Sequence, residues 1–134
     1  MRFIVVIVAS GIALAQSPSY QAVASPKQIM AGIQKPAMDS MMTINKAGGP
    51  KDDKEWELVE QQAAVLAETA QLLLMGARPK DEDVWPKSSM RLHTAAGSSV
   101  KAAQAKELPS WQASLNAMGA ACRSCHNVHR KKKE

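Results

Sequence analysis

The sequence predicts an all-α protein, an antiparallel up-down-up-down four-helix bundle. Three observations lead there. The aromatics number only three Trp, one Tyr and one Phe in 134 residues, so the core has to be built from Ala, Leu, Met and Val. The first three of these favour helix, and few β-branched runs stand ready to form strands. Four segments then carry apolar residues at steps of three and four, the spacing of one helix face. Glycines and prolines punctuate the gaps, and such short connections make neighbouring helices antiparallel. The length suits one domain.

Ahead of the first helix stands an export signal. Met1-Arg2 is a short positive start, Phe3 to Ala15 is apolar apart from Ser10, and Ala13-Leu14-Ala15 is a small-x-small cleavage site. A second such site, Ala22-Val23-Ala24, lies further from the apolar stretch. The run is too short for the ~20 residues of a spanning helix. Residues 1–15 are therefore expected to be a cleaved signal, and residues 16–134 an exported, periplasmic domain with no stable membrane insertion. Loss of Arg2 takes the net charge from +5 to +4.

The first helix is expected from Ser25-Pro26-Lys27-Gln28, where Ser25 caps, Pro26 suits the first helical position and Gln28 completes a capping box. Met30, Ile33, Ala37, Met41 and Ile44 form its stripe. Pro36 should kink it, and Gly48-Gly49-Pro50 ends it. The second helix opens at Asp52, with Glu55 three residues on, and presents Trp56, Val59, Ala63, Leu66, Ala70 and Leu73. Gly76 and Pro79 stop it. The third runs from about Asp83 or Pro86 to Lys106, with Trp85, Ser89, Leu92, Ala96, Ser99 and Ala103 inward. Gly97 interrupts it, either as a place for close approach or as a weak point in a mediocre helix. The fourth begins at Pro109. Its stripe is Leu108, Trp111, Leu115, Met118, Cys122, Cys125 and His129. The three tryptophans read as core anchors.

The fourth stripe carries the chemistry. Cys122-Arg123-Ser124-Cys125-His126 is the C-x-x-C-H pattern of c-type haem attachment. Residues three and four apart share a helix face, so both thiols and the imidazole point the same way. The thiols can bond the two vinyl arms of a haem while His126 reaches the iron. A thioredoxin-like redox pair would need a βαβ context that is missing here. A zinc site of Cys122, Cys125, His126 and His129 lacks the separated ligand pairs of structural zinc.

On these residues, residues 16–134 resemble the class II c-type cytochromes, the family of cytochrome c-prime and its low-spin relatives. Cys122 to His126 carry the likeness, with Arg130 one turn later, where that family commonly has a basic residue, and Met30 early in the first helix. His129 stands where the family often has an aromatic. The resemblance implies a four-helix bundle enclosing one covalent haem c, with Arg130 against the haem face or a propionate. Dimers occur in that family, so a homodimer is one expectation. The family is divided over the distal side, some members having Met and others an apolar residue and an open iron.

Helix lengths bear on that choice. If Pro109 is level with Lys46, His126 lies 17 residues further along, ~25 Å at 1.5 Å per residue. The same distance back from Lys46 reaches Ile29, beside Met30. Met38 and Met41 fall ~12–18 Å from that level. Met30 is thus the expected sixth ligand, against the alternative of a gap-filling core methionine. His93 falls off the inner face and is expected at the surface.

The function expected is that of a periplasmic single-electron carrier with His/Met-ligated haem, serving redox partner proteins. The alternative is a five-coordinate haem protein that binds NO or CO. No nucleophile–base set or phosphate loop suggests an enzyme. No aromatic-basic interleaving suggests nucleic acid. The basic end, Arg130 to Lys133, reads as cations suited to a helix C-terminus.

Overall fold

A computed structural model describes residues 21–130. The expected signal at 1–15 and the lysines at 131–133 lie outside the described residues. Within them the chain is all-helical. Helix α1 comprises Pro26–Ile29, a π turn at Met30–Gln34 and Lys35–Lys46. Helices α2, α3 and α4 follow as Asp53–Leu72, Val84–Gln104 and Leu108–His129. None of the described helices is long and apolar enough to cross a membrane.

The helix starts form where local chemistry provides for them. Ser25 accepts from the Gln28 amide while the Gln28 side chain returns to the Ser25 amide, a complete capping box. Asp52 accepts from the Glu55 amide at 2.8 Å. Asp81 takes the same part for α3, its carboxylate accepting from the amides of Asp83 at 2.7 Å and Trp85 at 3.1 Å. Gly49 follows α1 at φ +98°, and a Cβ there would stand 2.4 Å from Leu108. Only glycine lets that turn sit against the start of α4.

Most of the expected stripes are buried. In α2, Val59, Ala63, Leu66, Ala70 and Leu73 are inside, with Trp56 half-buried. In α3, Trp85, Ser89, Leu92, Ala96, Ser99 and Ala103 are all buried. In α4, Trp111, Leu115, Met118 and Cys125 are buried, and Leu108, Cys122 and His129 partly so. One correction arises in the helices themselves. In α1, Ile33 is 38% exposed and Gln34 is buried in its place. The cause is the π turn, in which the Lys35 amide bonds back to Met30 and one extra residue rotates the helix phase. This widened turn ends two residues before Pro36. In α3, a Cβ added at Gly97 would meet nothing within 4 Å.

Helices α2 and α3, and α3 and α4, pack extensively, whereas α1 rests on α2 and meets α4 mainly through Lys35–Lys46. Cross-links join the helices at several levels. Lys106 pairs with Asp53 at 2.7 Å, Gln104 donates to Glu60 at 2.9 Å, and Gln112 donates to Asn45 at 2.9 Å. The main core holds Met41, Val59, Leu66, Trp111, Leu115 and Met118 among many alanines. A second, smaller cluster of Ile29, Leu73, Trp85 and Cys125 sits apart from it, with Met30 packed at its edge. The weak contact of the first half of α1 with α4 leaves space beside this second cluster.

Candidate functional site

That space is a cavity of about 720 Å³, open to solvent. Its wall includes Pro26, Met30 and Ala31 of α1, Trp85 of α3, and Cys125, His126 and His129 of α4. A narrow inner pocket continues it between Met30, Gln34, Leu73, Leu92, Cys122, Cys125 and His126. Met30, Cys125 and His126 border both, so the two spaces share their walls. The size is that of a site for a small molecule or cofactor rather than a packing defect.

Met30, Cys122, Cys125, His126 and Arg130, the residues expected at a haem, all border this space. Cys122 opens on the inner pocket and Arg130 on the outer cavity, while Met30, Cys125 and His126 serve both. The two thiols are free and form no disulfide. Burial raises the pKa of Cys122, helped by the nearby Cys125. Burial also raises that of Cys125, with Asp81 adding to it. Both thiols are therefore held in the protonated form. The imidazole of His126 is shifted the other way, first by burial and then by the charge of Arg130. It is kept neutral, the form that offers a lone pair to a metal.

The charged side chains on the cavity wall are all cationic: Lys27, Lys35, Lys80 and Arg130. Lys35 is engaged by Asp39, one turn along α1. Lys80 lies 5.9 Å from the Trp85 ring centre. The wall thus presents positive charge to whatever occupies the space.

No protein-family model matches the chain, and no curated protein or solved structure matches it either. The site therefore stands on its own chemistry.

Three other expectations can be located. Met41 is fully buried in the main core, which makes it a packing residue. His93, expected at the surface, is half-buried and its Nδ1 lies 3.0 Å from the Ala67 carbonyl. This is a correction, and the backbone acceptor on α2 is its reason. His129 faces the Asp81 carboxylate through Nε2 and stacks edge-on against Trp85, with ring centres 5.4 Å apart. It is occupied at the cavity edge. Among the described residues, no three His, Cys, Asp or Glu side chains converge as a metal-binding group.

Sequence reasoning missed three residues that shape the site. Gln34 was hidden by the helix phase. Asp81 receives the first amides of α3 and also holds His129. Desolvation raises its pKa, but the Trp85 and Asp83 amides and His129 outweigh that and leave it below 3.8. Arg78 donates from Nε to the Ala24 carbonyl at 2.9 Å and from Nη1 to the Leu72 carbonyl at 2.8 Å. It thereby ties the chain entering α1 to the end of α2. Nothing in a lone arginine between glycine and proline signals such a strap.

Proposed function

We propose that the chain is an exported c-type cytochrome related to the class II family, a periplasmic carrier of single electrons. Cys122 and Cys125 would hold one haem c by thioether bonds, and His126 and Met30 would bind its iron. The observation that carries this reading is that the Cys125 thiol and the neutral His126 imidazole of α4 line a cofactor-sized cavity with Met30 of α1, while Cys122, on the same face of α4, opens on the narrow pocket that continues it.

Other features fit the same group. Haem is flat, largely apolar and carries two carboxylates. The cavity wall offers Trp85, Pro26 and Ala31 to its apolar body and Lys27, Lys80 and Arg130 to its carboxylates. Opposite directions of neighbouring helices, the up-down-up-down order, are supported by the sequence of their cross-links. Asp53 with Lys106, Glu60 with Gln104, Ala67 with His93 and Leu73 with Trp85 ascend α2 as they descend α3. Ser88 with Ser124 and Trp85 with His129 do the same for α3 and α4.

When bound, the haem supplies a one-electron iron couple. The protein's own part is fourfold. The thiols prevent loss of the group, His126 and Met30 fix the iron's coordination, Trp85 and Leu73 exclude water, and the cations neutralise carboxylates. A methionine opposite a histidine raises the reduction potential, as suits a carrier. The redox partner is a protein, and no enzymatic step is assigned.

The test is the absorption spectrum of the exported protein beside that of Met30→Ala. The reading predicts a six-coordinate low-spin spectrum with the far-red band of an iron–methionine bond, lost on substitution. If Met30→Ala left the spectrum unchanged, Met30 would not be the ligand. A five-coordinate high-spin spectrum with binding of CO would replace the carrier by a gas-binding haem protein.

A further inference from the structure

Gln34 is 7% exposed and its Nε2 is buried without an acceptor. Buried amide donors without partners are rare and call for a specific explanation. This one borders the inner pocket beside Met30, Cys122, Cys125 and His126. That pocket is where an acceptor would meet it.

The backbone accounts for its inward position. Met30 and Gln34 are the first and last residues of the π turn. That turn brings Gln34 inside at the expense of Ile33, which is left exposed. A π turn costs helix regularity and recurs at functional sites. Here it puts an amide and a thioether on one side of the same helix, facing the same pocket.

We propose that Gln34 is a positioning residue of the haem site, its side-chain amide, unpartnered in the haem-free chain, donating a hydrogen bond to the Met30 sulfur once iron binding turns that sulfur into the pocket. This rests on the haem reading given above. The propionates are the obvious rival acceptors, but the cations that suit them, Lys27, Lys80 and Arg130, line the outer cavity, where Gln34 does not reach. A thioether sulfur is a weak acceptor, and a neutral amide is a donor matched to it. Donation draws electron density from the sulfur. It weakens the hold on ferric iron more than on ferrous iron and so raises the potential, one of the ways a protein tunes a haem.

The experiment uses the haem-loaded full chain as wild type, Gln34→Leu, Gln34→Ala, Met30→Ala and the double variant Met30→Ala/Gln34→Leu. Haem content, the iron–methionine band and the reduction potential are measured on each. Both Gln34 variants are expected to keep the haem and the band and to favour the ferric state about tenfold, a fall of about 59 mV for one electron. In the Met30→Ala background, Gln34→Leu is expected to shift nothing further. An unchanged potential in a haem-bearing Gln34 variant, or an equal shift without Met30, overturns the inference alone. A wild-type chain without haem overturns it together with the reading beneath it.

Discussion

Trp111 and Trp85 are equally deep in the bundle, 0% and 2% exposed, yet their surroundings differ. Trp111 stands edge-on to Trp56, ring centres 6.2 Å apart, amid Leu66, Leu115 and a run of alanines. Trp85 is fixed by a 2.9 Å bond from its Nε1 to the Leu73 carbonyl, and its other side walls a cavity of about 720 Å³. The end with Trp111 is filled by small side chains at close quarters. The end with Trp85 holds helices apart and lines the gap with sulfur, imidazole and cations. Close packing is a general property of protein interiors, and the Trp111 end has it, whereas the Trp85 end opens to solvent. The two ends therefore predict different responses to mutation.

The largest contrast is between Trp111 and Met30. Trp111→Ala in the haem-free chain should cost about 3–5 kcal/mol in urea unfolding, since a fully buried indole leaves a cavity. Met30→Ala should cost about 1 kcal/mol or less there, because its side chain already faces open space. Equal losses would mean that both ends are packed alike.

Next comes Arg78, the strap between Ala24 and Leu72. Arg78→Ala should cost about 2 kcal/mol, as two hydrogen bonds to a charged donor are lost. It should also raise hydrogen exchange in the first turn of α1. Unaltered exchange there would show that the open end is held by packing alone.

Gln34→Leu should stabilise the haem-free chain by about 1 kcal/mol, since it removes a buried donor without an acceptor. At the Trp111 end the buried Ser99 hydroxyl also lacks a partner, so Ser99→Ala should bring a similar gain. Loss of stability on Gln34→Leu would indicate that Gln34 is already satisfied.

The smallest effect belongs to Asp81. Folding lowers its carboxyl pKa from 3.8. The folded state therefore favours the ionised form, and the contribution is full above that value and fades as pH falls through the lowered one. Wild type should melt above Asp81→Asn at neutral pH, and the two should converge in strong acid. A gap that persisted in acid would assign the difference to something other than this charge.

Much of this was legible beforehand because it is periodic or capped. The α2 stripe, the Ser25 box and the Asp52 cap follow from residue types at fixed spacings, and the structure has them where expected. Cys122, Cys125 and His126 were readable because a five-residue pattern on a helix needs no tertiary information. Met30 came from rise per residue, and it does border the same cavity. Ile33 and Gln34 were misassigned because a π turn changes the period that the reading assumes. His93 was misplaced because its partner is a backbone carbonyl on another helix, which no sequence pattern marks. Arg78 escaped for the same reason.

The most direct test is the intact mass of the chain after export from a host able to attach haem. The account predicts a coloured protein heavier than the bare mature chain by one haem, and a colourless one of bare mass for Cys122→Ala/Cys125→Ala. A colourless wild type whose mass equals the polypeptide alone would contradict it.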